Sequence, residues 1–255
     1  MDNQLNLLRP DANLAATFIG NGGVSTDGLG TDSIGTIQAE IPGGSIIEYA
    51  FLHVATRTFD NPFRPNNIGF EGVSVPITFL DNVQDTSSGI NFETGRVDVT
   101  DIVASVVGNR GGVFNFNVDE TITGSPELVE GTSLTVIYSN PNSPEQSIFV
   151  WEGGLTGATP QTNFLTLDQP IDTSTPNFTA EMALGIQYGF LEDNQFSTID
   201  VNGERLSSSA GDFNDGGSVN GTLITVGGVG DSPDNPANPF ENRDFSDDEF
   251  YCCSG

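Results

Sequence analysis

The chain has 255 residues and a formal net charge of -28, from 35 acidic residues against 7 arginines and no lysine. Charge of that sign repels phosphate backbones and anionic lipid surfaces and argues against nucleic acid or a membrane surface as partner. Hydrophobic residues reach 36 % with 18 Phe, enough for a buried core, and Ser, Thr, Asn and Gly do much of the surface work that charged residues do elsewhere, a composition that suits an extracellular β-protein.

Residues 1–32 read as an N-terminal arm. The start, MDNQLNLLRPDANLAATF, has no basic n-region and no unbroken apolar core, which fits either a cytosolic chain or an exported one whose signal peptide has been removed and Met1 added; the second is the preferred expectation. The apolar patch Leu5, Leu7 and Leu8 suits either a loose arm or a strand added to a sheet, including the open edge of a neighbouring copy. From Ser33 strands begin, and 33–154 reads as the first half of a sandwich. Ile46 to Val54 is apolar on both faces, as in an interior strand. Val73, Val75, Ile77 and Phe79 alternate with polar or small residues, and Pro76 assigns that run to an edge or a bulge.

The run VTDIVASVVG (Val99 to Gly108) predicts one short helix, about Asp101 to Val107, with Thr100 capping the free N–H groups, Asp101 complementing the dipole and Gly108 ending it. Its two turns need Ile102, Val103 and Val106 packed on a sheet. Val113 to Val118 alternates, with Phe114, Phe116 and Val118 on one side. Then comes GTSLTVIYSNPNSPEQSIFVWEGG, Gly131 to Gly154, two β-rich runs around Asn140-Pro141 and Ser143-Pro144. Leu134, Val136 and Tyr138 share one face and Ile137 lies on the other, which predicts a hairpin at the centre of the fold.

Residues 155–255 read as the second half with an acidic C-terminal loop. Phe164 to Leu167 is a short strand. Ala180 to Phe190 has a regular period of two and predicts one continuous strand. Asn202-Gly203 predicts a two-residue hairpin turn, Leu223 to Val226 another short strand, and Gly227 to Tyr251 irregular chain. With no β-α-β alternation and no run of 18 apolar residues, the fold class is all-β, an antiparallel β-sandwich, jelly-roll-like, with a single helix.

The order VDVTDIV (Val97 to Val103), FNFNV (Phe114 to Val118) and then Gly131 to Gly154 resembles a family of prokaryotic exported surface-protein β-sandwich domains of unknown function. The later stretch from Asp200 to Phe240, with DDEFY (Asp247 to Tyr251), is similar to the ectodomains of exported proteins with C-terminal sorting and anchoring tails, common in cyanobacteria. The resemblance implies a β-sandwich fold and export. It implies no enzymatic activity and carries over no functional residues.

Candidate chemistry is sparse. Asp85-Thr86-Ser87 and Asp172-Thr173-Ser174 have the form of aspartic-protease triplets, but neither follows a buried apolar strand, so both read as surface turns. His53 is the sole histidine; Arg57 follows it, no Gly-x-Ser-x-Gly elbow exists, and it reads as a structural histidine near a strand end. Asp212, Asn214 and Asp215, followed by Gly216-Gly217, place oxygen ligands as the start of a calcium loop does, but Leu223 stands where a closing Glu belongs, which rejects an EF-hand and leaves a solvated acidic turn as the preferred reading and a generic calcium loop as its alternative. Asp244, Asp247 and Asp248 form a second candidate for Ca2+. Cys252-Cys253 are adjacent and cannot staple the fold. Asn177-Phe178-Thr179 and Asn220-Gly221-Thr222 are glycan acceptor sequons.

The expectation is therefore a secreted or cell-surface structural or adhesive β-domain without catalysis, with Ca2+ as a candidate stabiliser, with itself, a surface matrix or a glycan as partner and no membrane insertion. A fibre or sheath subunit assembled by strand exchange through residues 1–32 is the first alternative. A carbohydrate-binding module that stacks sugars on Trp151, Tyr138 or Tyr49 is the second.

Overall fold

From the amino end, the strands are β1 (Leu14–Leu29), β2 (Ile34–Ile41), β3 (Ile46–Thr58), β4 (Asn67–Phe70), β5 (Val73–Pro76), β6 (Thr78–Gln84) and β7 (Asn91–Asp98). The helix α1 (Thr100–Val107) follows, then β8 (Gly112–Asp119), a single 3-10 turn at Thr121–Thr123, β9 (Val129–Ser139) and β10 (Glu145–Trp151). A computed structural model describes residues 14–153 except 31–32, 59–63, 85–89 and 125–127, and beyond them residues 172, 174, 178–186, 197–201, 203–210, 224–226, 228–229 and 251–253.

Six strands form one antiparallel sheet in the order β10-β1-β9-β3-β7-β6, and four form a second in the order β2-β8-β4-β5. Among the described residues the chain is thus all-β with one short α-helix. Alternate residues of a strand point to opposite faces, and the facing sides of the two sheets supply one core. Ala50, Leu52 and Val54 of β3 and Leu134 and Val136 of β9 meet Ile37, Ala39 and Ile41 of β2 and Phe114, Phe116 and Val118 of β8. Phe70 and Phe116 stack at its centre, 5.5 Å apart and 16° from parallel. The interior position expected for Ile46 to Val54 is met, since β3 pairs with β7 on one side and β9 on the other. Pro76 ends β5, an edge strand, and the chain then changes sheets at Ile77 to begin β6, the edge of the larger sheet.

One open edge of the smaller sheet is closed by side chains. β2 has a hydrogen-bonded neighbour on one side only, which would leave a row of N–H groups as a template for a foreign strand. Asp27 of β1 accepts the N–H of Gln38 at 2.5 Å and Ser25 accepts that of Glu40 at 2.9 Å. Both lie on the core side of β1, so the N-terminal strand ties the two sheets together.

Several expectations need correction. β9 and β10 do not pair with each other; β1 lies between them, so the predicted central hairpin does not form. The turn is real, with the N–H of Ser143 donating to the Asn140 carbonyl at 3.0 Å, but its flanking strands have a better partner from the start of the chain. That partner comes from the segment read as an arm, whose residues 14–29 are a strand of the chain's own sheet. Thr100 is already helical: its hydroxyl accepts the N–H of Ala50 at 2.9 Å, and the carboxylate of Asp98 accepts the N–H of Thr100 at 3.0 Å. Gly108 ends the helix as expected, with φ 55° and its N–H donated to Ala104.

Beyond Gly153, β11 (Ala180–Met182), β12 (Leu184–Ile186), β13 (Ser197–Val201), β14 (Glu204–Ala210), β15 (Ile224–Val226) and β16 (Tyr251–Cys253) form two-stranded pairs. The single strand predicted from Ala180 is divided at Ala183, because β11 pairs with β16 and β12 with β15. The hairpin at Asn202-Gly203 is present as β13–β14, with Gly203 at φ 84° where a side chain would be strained. Phe164 to Leu167, the patch Leu5, Leu7 and Leu8, and most of Gly227 to Tyr251 lie outside the described residues.

Candidate functional site

The site grows from the way β1 is used twice. Its second half, Gly22–Leu29, pairs with β9, and its first half, Leu14–Asn21, pairs with β10. Neighbouring residues of a strand aim their backbone groups at opposite edges. The Asn21 carbonyl accepts from Asn140 at 2.9 Å, whereas the next residue, Gly22, donates its N–H to Pro144 at 3.2 Å. The loop from Asn140 to Pro144 therefore crosses over β1, and the Asn21 amide holds it there by donating to the Ser143 carbonyl at 2.9 Å.

A straight β1 is incompatible with the remaining contacts. Leu14 stands opposite Trp151, while His53 stands opposite Ser133, which in turn faces Gly28. Along an extended strand Leu14 and Gly28 are roughly 45 Å apart. Yet Glu152, next to Trp151, touches His53, and Ala16 and Ile148 share a buried cluster with Phe51 and Ile137. The ribbon made by β10 and the first half of β1 therefore doubles back over the outer face of the larger sheet.

The sequence Gly20-Asn21-Gly22-Gly23 makes the corner. A Cβ on Gly22 would lie 2.1 Å from the Tyr138 carbonyl oxygen and 2.8 Å from the Phe18 ring, so only glycine fits where the ribbon folds onto its own strand. Ala16, Phe18, Ile148 and Val150 form the underside of the ribbon and pack on Phe51 and Ile137.

The ribbon's end is fastened by charge. Glu152 reaches down between β3 and β7, where His53 and Arg96 are paired neighbours. Its Oε2 lies 3.0 Å from His53 Nε2, and its Oε1 accepts a hydrogen bond from Arg96 Nη1. The Glu152 side chain is 9 % exposed. Beneath it, Arg96 stands 5.1 Å from the centre of the Phe51 ring, and His53 meets the same ring edge-on at 6.3 Å. Both carboxylate oxygens are engaged, so the cluster acts as a latch.

Two further pairs lie at the same end of the sheet. Glu130 sits in a bulge of β9 opposite β3, with Oε1 2.9 Å from Arg57 Nε. That contact lacks hydrogen-bond geometry, and among the described residues Glu130 Oε2 has no donor. Burial consequently pushes the Glu130 carboxyl up from 4.5 to about 8, against the opposing pull of Arg57. Arg64 contacts Glu93 at 3.0 Å and covers the Phe79 ring at 4.3 Å. Three of the chain's seven arginines thus meet carboxylates on or beside β3, β7 and β9.

Of the residues the sequence singled out, His53 is placed in the latch. Asp172 accepts from the Ser174 N–H at 3.0 Å and from its hydroxyl at 2.5 Å on the exposed surface, the local turn expected of that motif. Asp85-Thr86-Ser87, the calcium candidates Asp212, Asn214, Asp215, Asp244, Asp247 and Asp248, and the sequon residues Asn177 and Asn220 lie outside the described residues. Among the described residues no group of three or more His, Cys, Asp or Glu is gathered for a metal ion. The three aromatic candidates have separate surroundings. Tyr138 packs against the main core, Tyr49 stands 5.8 Å from Phe51, and Trp151 stands 5.9 Å from Phe149. Sequence reasoning missed Arg96, Glu130 and Glu152; the only signal was that the few arginines cluster between Arg57 and Arg96.

No family model, curated protein or solved structure matches the chain. Among the described residues no helix is long and apolar enough to cross a membrane.

Proposed function

We propose that the chain is a secreted or cell-surface structural or adhesive β-domain that performs no catalysis. The observation that carries this reading is the use of scarce basic side chains: Arg57, Arg64 and Arg96, with His53 beside Arg96, are committed to acidic side chains that hold strands and a ribbon in place. Internal fastening of this kind suits a domain that keeps its shape.

The wiring supports a jelly-roll reading of the fold, with β1-β9-β3-β7 in one layer, β2-β8-β4-β5 in the other, and β6 and β10 added at the edges. Export is supported by the lysine-free, acidic composition and by the resemblance of Val97 to Val103 and Gly131 to Gly154 to exported surface domains. Calcium held by the acidic segments around Asp212 and Asp244 fits the same setting.

The test is antibody labelling of intact source cells alongside hydrolysis assays with fluorogenic peptides and glycosides. Surface labelling without turnover is expected. Steady hydrolysis by pure protein, or labelling only after permeabilisation, overturns the reading.

A further inference from the structure

We propose that the open edge of β8 at Val113 and Asn115 is a docking site for an extended peptide segment of a partner protein, which adds a strand to the smaller sheet and sets an acidic residue beside Arg110. This gives the adhesive role proposed above a binding site, and its failure would leave surface display and the absence of turnover as they stand.

β8 is paired along its whole length on one side only. Every residue from Gly112 to Asp119 has a partner in β2, whereas on the other side β4 reaches only Val118 and Asp119 before its chain turns. Glu71, at φ 49°, and Gly72, at φ 75°, make that turn. Glu71 still donates its N–H to the Asn117 carbonyl at 2.9 Å, and its carboxylate, in place of a strand carbonyl, accepts the Asn117 N–H at 2.5 Å. The ladder ends there. Backbone groups alternate between the two edges of a strand, so the N–H and C=O groups of Val113 and Asn115 point the same way as those of Asn117. Among the described residues they meet no partner. The helix α1 fills the fold at this end with Val103 and Val107 in the core, but a helix satisfies its own backbone and does not pair with a strand edge.

Open edges are usually blocked. Asp27 and Ser25 close β2, and Pro76 ends β5. Val113 and Asn115 carry no such device. Val113 is 51 % exposed, and the Asn115 side chain leans towards β2, where it accepts from the Gln38 amide at 2.6 Å.

Charge defines the occupant. Arg57, Arg64 and Arg96 meet carboxylates, but Arg110, just before β8, meets none among the described residues. It is exposed, donates to the Val106 carbonyl and stands 5.2 Å from the centre of the Phe114 ring. A segment running antiparallel to β8, the more stable pairing, finishes beside this guanidinium, where a carboxylate completes it. A second β8 paired Val113 to Asn115 would set the other copy's β4 on Asn109 and Arg110, so a single extended segment fits where a whole copy does not.

The experiment is amide hydrogen exchange of the full chain with two soluble seven-residue probes of alternating threonine and valine, one ending in two aspartates and the other in two arginines. At saturation the aspartate probe should slow exchange at Val113 and Asn115 by about tenfold or more. Asn115→Pro removes an edge N–H and no bond to β2, and should abolish the protection of Val113 while circular dichroism stays native. Arg110→Glu should shift the preference towards the arginine probe by about fivefold, the scale of an exposed ion pair.

Unchanged exchange at Val113 and Asn115 with millimolar probe overturns the proposal, and equal binding of the two probes overturns its acidic partner. A native chain that is already dimeric, with both amides protected, places a second copy at the edge and overturns it as well. If Asn115→Pro fails to fold, the two probes on the native chain decide.

Discussion

Raising the pH from about 5.5 to about 8.5 should weaken the fold through one side chain, Glu130, by about 3 kcal/mol. Its side chain is 3 % exposed, and burial raises its carboxyl from 4.5 to about 8, with Arg57 pulling the other way. A folded-state pKa above the unfolded one means that the stabilisation is complete below 4.5 and is lost as pH climbs through about 8. Across most of that range the unfolded chain releases the Glu130 proton while the folded chain holds it. Integrating the difference over the stated interval gives the figure above. For a chain of this size that corresponds to a fall in melting temperature of roughly 6–12 °C. The assay is thermal or urea unfolding of the native chain and Glu130→Gln at both pH values. The other acidic residues contribute to the pH dependence of both proteins alike, so the quantity of interest is the difference between their slopes. The variant should be flatter by that amount, whatever its absolute stability. Equal slopes would refute the assignment of a held proton to Glu130.

Glu152→Gln should loosen the ribbon before the core, at a cost of about 1–3 kcal/mol. Amide exchange at Phe18 and Val150 should accelerate while that at Leu134 stays slow, and uniform acceleration would contradict a local latch. Asp27→Ala removes the acceptor that closes the β2 edge and should cost about 1–3 kcal/mol. Light scattering should reveal added aggregation through the uncovered N–H of Gln38. Phe116→Ala, at a fully buried position stacked on Phe70, should cost about 3–5 kcal/mol, read as a lower urea midpoint.

The parts of the fold legible in the sequence are those whose determinants are local. Phe114, Phe116 and Val118 announce a half-buried strand by alternation alone, and Asn202-Gly203 announces its hairpin because the turn itself demands those residues. Ile46 to Val54 is readable as interior because both faces are apolar. The hairpin of Gly131 to Gly154 fails for the converse reason. Its turn signal is genuine, but strand pairing is decided by competition, and the winning partner, β1, lies more than a hundred residues earlier. Asn21, Gly22 and Gly23 look like loose chain in sequence because a sharp corner in a strand and a flexible arm both call for small residues. The latch is hidden for a related reason. Glu152 is paired with His53 and Arg96 by the doubling back of a ribbon, and no spacing along the chain encodes that meeting.

The register of the ribbon also fixes how it responds to force. Leu14 and Trp151 lie opposite each other at the end away from its corner, so tension that enters before Leu14 and leaves after Glu152 pulls the two strands apart sideways. Hydrogen bonds loaded in that direction break one after another, beginning at the Glu152 contact, whereas strands pulled lengthwise must break them together. The ribbon is therefore a peeling seam. Under such loading it opens before Asn21, Ser143 and the core behind them.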